Sequence, residues 1–170
     1  MPDLSARPVR MVFTSRAGGV SAAPYESFNL GAHVGDDPAA VAANRARLAD
    51  ILGLPEERFV WMEQLHTNTV TPIDAPSATP VEATDALVTR EKNLALCVLV
   101  ADCTPVLLSD HTAGVIGAAH AGWRSLAAGI LQATVAAMQD AGARNIRAVI
   151  GPCISRRAYE VSEDFMDRFL

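Results

Sequence analysis

Cysteine, aromatic residues and positive charge are all in short supply in this chain. Three Cys, two Trp, two Tyr and five Phe occur among 170 residues. An odd and small number of cysteines excludes a disulfide scaffold and makes a reducing compartment the default. Fourteen Lys and Arg against nineteen Asp and Glu leave a net charge of −5. That balance argues against a nucleic-acid partner, since tracking a phosphate backbone needs a basic surface, although a local pocket can still hold a small anion. Long hydrophobic runs are missing as well. The longest, ending at Asp102, has about eight residues against the ~20 that span a bilayer, so no membrane association is expected. The opening "MPDLSARPVRMVF" holds an acid and two prolines and has no export-signal pattern, which gives a cytoplasmic expectation. What is present is apolar for half its length, enough for one domain over 1–170 with a sizeable core.

The pattern along the chain mixes strands and helices without strict alternation. "RMVFTS" (10–15) alternates weakly and predicts a strand. "DDPAAVAANRARLADILGL" predicts a helix, with Asp37 as cap, Pro38 in the first turn and Gly53 as stop. Val41, Leu48, Ile51 and Leu52 form its predicted apolar face. Strands are predicted over 58–63, 85–89, along the apolar run 94–108, over 113–123 and over 146–154, with a loop at 77–84. Residues 125–141 predict one continuous helix, with Leu126, Ile130, Val135 and Met138 near one side and Gly142 ending it. The expected fold class is therefore α+β, a layered mixed β-sheet with flanking helices, rather than a doubly wound sheet.

Three apolar stretches are interrupted by residues that can bind a soft metal. His66 lies in "EQLHT", Cys103 in "VADCTPV" and His120 in "GAAHAGW", each near a predicted strand end where chemistry commonly sits. Two imidazoles and a thiolate suit zinc. Three protein ligands leave a fourth position for water or substrate, the pattern of a catalytic site. The plain alternative is an inert buried thiol at Cys103 and a hydrogen-bonded core histidine at His120. A second chemistry makes Cys103 a nucleophile with His120 as base. Asp102 is a poor orienter for that pair, because neighbours in a strand face opposite ways.

Other residues carry weaker signals. Arg16 with Gly18 and Gly19 can cradle an anion, or simply form a turn. Asn29 in "SFNLGAHVGDD" can orient a ligand or cap its own backbone. His33 reads as structural and His111 as a surface residue. Cys97 reads as core, and Cys153 in "GPCI" as packing rather than pocket lining.

Seven segments in order, "TSRAGGVS", "SFNLGAHVGDDP", "QLHTNTV", "TDALVT", "ADCTPVLL", "AAHAGWRS" and "IGPCI", resemble the bacterial laccase-domain, or multicopper polyphenol oxidase, family. Members of that family are now read as multifunctional purine nucleoside phosphorylases. The resemblance implies that His66, Cys103 and His120 bind a catalytic zinc and form the catalytic centre. It implies phosphorolysis of adenosine, inosine and methylthioadenosine to base and sugar 1-phosphate, together with deamination of adenosine. Small-molecule nucleosides and phosphate are the implied partners, with Arg16, Gly18, Gly19 and Asn29 as candidate substrate-binding residues. The fold is similar to one shared with a deamidating cysteine toxin domain.

Three departures from the family pattern stand out. Thr67 replaces the usual Gly after the histidine, and its branched side chain is expected to crowd the metal or substrate. Ser125 replaces Gly after "HAGWR", where it can cap a helix. Family chains also run some tens of residues beyond Leu170. Competing functions are a copper-dependent polyphenol oxidase, a cysteine hydrolase or editing factor acting on peptidoglycan precursors, and an inactive zinc-binding domain. Copper chemistry is open to the same ligands, but four histidines are few for a multicopper centre. The sequence leaves oligomeric state open.

Overall fold

The predicted first helix forms for the predicted reasons. In the computed structural model, which describes residues 9–163 and 165, α1 spans Pro38–Leu52. The Asp37 carboxylate accepts from the Ala39 amide, and Gly53 ends the helix in the left-handed conformation. Its buried face is Val41, Asn44, Leu48 and Ala49, whereas Ile51 is 63% exposed. An asparagine thus occupies the apolar stripe where Ile51 was expected. The N-terminal export reading concerns a segment whose residues 1–8 lie outside the described ones, as does most of the closing "SEDFMDRFL".

Among the described residues seven strands follow: β1 (Phe59–Val60), β2 (Val70–Ile73), β3 (Ala86–Thr89), β4 (Ala95–Leu96), β5 (Thr104–Asp110), β6 (Val115–Ala121) and β7 (Arg147–Ile150). Five make one mixed sheet in the order β2-β3-β6-β5-β7, with only β2 and β3 parallel. β1 and β4 form a separate parallel pair.

Strand alternation sorts the core into layers. Ala86, Val88, Val106, Leu108, Val115, Ala119 and Ala121 share a cluster with Ile130 and Met138 of the helix that covers one face of the sheet. Leu87, of opposite parity, packs with Val60, Met62 and Leu94. Phe59, beside Val60, turns the other way to Phe28, Leu48 and Ala49 of the α1 layer. The α+β layered expectation holds: helix, five-stranded sheet, two-stranded pair, helix. Among the described residues, no helix is long and apolar enough to cross a membrane.

Several local expectations fail for identifiable reasons. Segment 10–15 forms no strand; Val12 and Phe13 are exposed, so no apolar face anchors it. The 58–63 strand reduces to β1 plus a bridge from Met62 to Val81. The apolar run 94–108 is two strands, with 97–103 leaving the sheet between them. The predicted helix 125–141 starts earlier and breaks. α2 (Trp123–Ala127) and α3 (Ile130–Asp140) are separated at Gly129, whose φ of 85° suits glycine. Leu126 consequently sits on the exposed side. β2, with a proline inside it, was not expected. It lies at the sheet edge, where a missing amide is tolerated.

Candidate metal centre

The strand ends bring His66, Cys103 and His120 together. Their ligand atoms all lie within 4.8 Å of one another. Cys103 Sγ is 3.7 Å from His66 Nε2, and the two imidazoles meet edge-on with centroids 4.7 Å apart. Each residue arrives from a different element. His120 is the penultimate residue of β6 and pairs across the ladder with Pro105. Cys103 directly precedes β5, and His66 sits in the turn before β2 with φ 61°. That left-handed conformation is uncommon for a side chain with a Cβ and persists where the surroundings enforce it.

Asp85 enforces it. This fully buried carboxylate accepts hydrogen bonds from the amides of Leu65, His66 and Thr67 and from the Thr67 hydroxyl. It also meets His120 Nδ1 at 2.8 Å. One carboxylate therefore shapes the His66 turn and fixes the ring of His120, leaving Nε2 as the free ligand atom. A metal-binding histidine usually has such a partner on its other nitrogen. Burial pushes the Asp85 pKa up, but the hydrogen bonds from His120, Thr67 and His66 together outweigh it and hold the group ionised. Thr67 thus turns toward Asp85 instead of crowding the site, contrary to expectation. Ser125 also departs from expectation. Gly122 occupies the N-cap of α2, and Ser125 is buried with no partner for its hydroxyl among the described residues.

Two further contacts position the centre. Gln64 holds Leu99 with both ends of its amide, donating to the carbonyl at 2.7 Å and accepting from the N–H at 2.9 Å. This clamp ties the segment leading to Cys103 to the segment leading to His66. Gly122 is the second. A Cβ there would lie 2.7 Å from His66 Cδ2 and 3.1 Å from Cys103 Sγ, so only glycine leaves room.

The electrostatics suit a cation. Burial pushes the Cys103 thiol above its ordinary range, and the nearby charges of Asp102 and Asp85 push the same way. Burial also lowers the His120 pKa; Asp85 opposes this and His66 adds to it, so the ring is held neutral. Neutral imidazoles are what a metal requires, and only a bound cation would hold this thiol as thiolate at neutral pH. Ligand atoms around a tetrahedral zinc stand about 3.3–3.6 Å apart. The 3.7 Å Cys103–His66 separation is already close to that. The donor set therefore fits a metal ion with one position left open.

The candidate substrate residues lie in a different setting. Arg16 is exposed; its Nε donates to the Glu26 carbonyl and its guanidinium lies 3.7 Å from the Glu26 carboxylate. The Gly19 amide is donated to Ser27 Oγ, which removes it from any anion cradle, while Gly18 is open. Asn29 caps its own turn: Oδ1 accepts from Gly31 N–H and Nδ2 donates to Asp36. The whole loop hangs on Asn44, buried in α1. It accepts from Val20 N–H and donates to Ser21 Oγ and to the carbonyls of Ser27 and Asn29. His33 and His111 are exposed. Cys97 packs against the α1 cluster, and Cys153 is exposed rather than filling a pocket.

Asp85, Gln64 and Asn44 escaped the sequence reading. Asp85 and Gln64 had a visible signal, a charge opening an apolar strand and an amide two residues before a candidate ligand. Asn44 interrupts the i, i+3, i+7 apolar spacing of α1.

A layered α+β chain with a two-histidine, one-cysteine centre and an open coordination position is the class that fold and site define. The family described as multi-copper polyphenol oxidoreductase laccase matches residues 10–170. The chain belongs to that family. A purine nucleoside phosphorylase of Corynebacterium glutamicum is 60% identical over 165 residues, covering 95% of this chain and 67% of that protein. One of Mycobacterium tuberculosis is 51% identical over 161 residues, covering 94% and 64%. YlmD from Geobacillus stearothermophilus has a similar structure, with TM-score 0.86 and 37% identity over 91% of this chain and 62% of that one. The chain thus spans about two thirds of the length of these relatives. The word copper belongs to the family's description.

Proposed function

We propose that this chain carries the catalytic centre of a zinc-dependent purine nucleoside phosphorylase. It would convert adenosine, inosine and methylthioadenosine with phosphate to free base and sugar 1-phosphate, and deaminate adenosine to inosine. The observation that carries the reading is the convergence of His66, Cys103 and His120, with Asp85 anchoring both imidazole-bearing segments. The names of the relatives supply the substrate class.

In this reading, His66, Cys103 and His120 would hold the zinc, which would supply Lewis-acid chemistry at the site. The protein's own groups do the rest. Asp85 keeps the Nδ1 proton on His120, so Nε2 stays available as a ligand. Cys103 loses its proton as the cation binds, since the buried thiol is otherwise held protonated. In phosphorolysis a phosphate oxygen bonds to the ribose C1′ as the glycosidic C–N bond breaks and the base leaves. The exposed Arg16 guanidinium, with the Gly18 backbone, is the proposed phosphate holder, and Asn29 the proposed sugar contact. Three unpaired cysteines and the relatives' activity favour a cytoplasmic setting.

Metal analysis of protein purified without added metal, followed by product separation after incubation with adenosine and phosphate, tests this. About one equivalent of zinc, phosphate-dependent release of adenine, and loss of both in Cys103→Ala are expected. Zinc below about a tenth of an equivalent, or adenosine left unchanged by the wild-type chain, overturns it.

A further inference from the structure

The centre described above uses one of the three cysteines, and Cys153 stands beside it. The β5–β7 ladder pairs Val106 with Ile150. Beyond the strands the two segments stay hydrogen-bonded to each other. The Gly151 amide donates to the Pro105 carbonyl and the Ile154 amide to the Asp102 carbonyl, both at 2.9 Å. Two residues lie between those bonds on each side, Thr104 and Cys103 on one segment and Pro152 and Cys153 on the other, so the two cysteines run alongside each other. The segments are already close at the strand end. A Cβ at Gly151 would lie 2.8 Å from Pro105 Cγ, and Cys153 and Cys103 follow two residues further along each segment. Opposed residues in an antiparallel ladder have Cα atoms about 4.5–5.5 Å apart, and a disulfide bridges roughly 4.4–6.8 Å, which accommodates the looser spacing beyond the strand ends. Cys153 is exposed and Cys103 half-buried. Cys97 is the contrast: it packs against the α1 cluster, and burial pushes its thiol up to about 12.

We propose that Cys103 and Cys153 form a dithiol modification site that closes to an intramolecular disulfide on meeting a small disulfide oxidant. The exposed Cys153 sulfur attacks one sulfur of the oxidant. Its S–S bond breaks, one thiol leaves, and a mixed disulfide forms on Cys153. The Cys103 sulfur then attacks the Cys153 sulfur, forming the protein disulfide and expelling the second thiol. Two electrons pass from the protein to the oxidant, and the two thiol protons end on the released thiols. The disulfide itself rests on the two backbone hydrogen bonds that bracket the cysteines. Its consequence rests on the proposed metal site: with the Cys103 sulfur bridged, two imidazoles remain as ligands and the ion is released.

Oxidised glutathione is the probe. The purified full chain is incubated with it, alkylated, digested and mapped by mass spectrometry, while a chromogenic chelator follows zinc. The expected result is a Cys103–Cys153 crosslinked peptide within one chain, loss of two of the three thiols, release of zinc, and reversal by dithiothreitol. Cys153→Ser should retain its zinc at least about tenfold longer under the same treatment. Glutathione remaining on Cys153 beside a reduced Cys103, a crosslink between chains, or a partner other than Cys153 overturns the proposal. A zinc-free chain that still forms the crosslink upholds the dithiol site and defeats the metal reading. A zinc-loaded chain that forms none does the opposite.

Discussion

Two buried aspartates each gather at least four hydrogen bonds, yet only one borders the candidate metal centre. Asp110, at the end of β5, accepts from the amides of Thr112, Ala113, Arg144 and Asn145. Every partner is backbone, so the carboxylate stitches the β5–β6 turn to the segment entering β7. Asp85 likewise binds a turn, but it adds the imidazole of His120 and shapes the backbone that presents His66. A buried, fully satisfied carboxylate is thus no mark of chemistry by itself. What matters is whether one of its partners can change protonation or bind a ligand.

Replacing the two residues separates these roles. Asp85→Ala should have the larger effect on the centre. Zinc affinity should fall roughly 10–100-fold, as when other second partners of metal-bound histidines are removed. Equilibrium dialysis against zinc measures this, and an unchanged affinity would reduce Asp85 to the same standing as Asp110. Asp110→Ala should leave the zinc-to-protein ratio of the folded chain intact and lower the thermal unfolding midpoint, read by circular dichroism. A pH series sharpens the contrast. Four amide hydrogen bonds hold the Asp110 pKa well below the ordinary carboxylate range, led by those from Asn145 and Ala113, despite the opposing effect of burial. The folded state therefore binds fewer protons than the unfolded state just below that range. The stability from Asp110 is complete above about pH 4–5 and is lost as pH falls toward the depressed value. Asp110→Asn should flatten that acid limb of the stability curve.

Gln64→Ala should have the smallest effect. It removes two hydrogen bonds worth about 0.5–1.5 kcal/mol each and loosens Cys103 relative to His66 without touching either ligand. A several-fold drop in zinc affinity is expected, with Gln64→Glu recovering little because a carboxylate cannot donate to the Leu99 carbonyl. Equal affinities for wild type and Gln64→Ala would make the clamp a feature of the fold alone.

The legible parts of the molecule were those that local chemistry specifies. Asp37, Pro38 and Gly53 marked α1 because caps act within one turn. Ala86–Thr89 and Val115–Ala121 were readable as apolar strands, and His66, Cys103 and His120 stood out as polar interruptions at their ends. Long-range partners explain what was missed. Segment 97–103 leaves the sheet although it is apolar, and at Leu99 the Gln64 side chain takes both backbone bonds that a neighbouring strand would have made. The helix after His120 breaks at Gly129, and Asn44 is buried because the loop carrying Arg16 and Asn29 needs its amide. None of these follows from hydrophobic periodicity, which reports burial but not the identity of a partner.

By itself, then, the sequence determined the layered α+β class, the limits of α1 and the identity of three ligand-type residues, since residue type and local spacing suffice for these. The tertiary structure alone decided that the three meet, that Asp85 rather than Asp102 orients His120, and that the segment carrying Cys153 is hydrogen-bonded to the one carrying Cys103. Those outcomes depend on register between segments distant in the chain, and register is set by the summed packing and hydrogen bonding of whole strands.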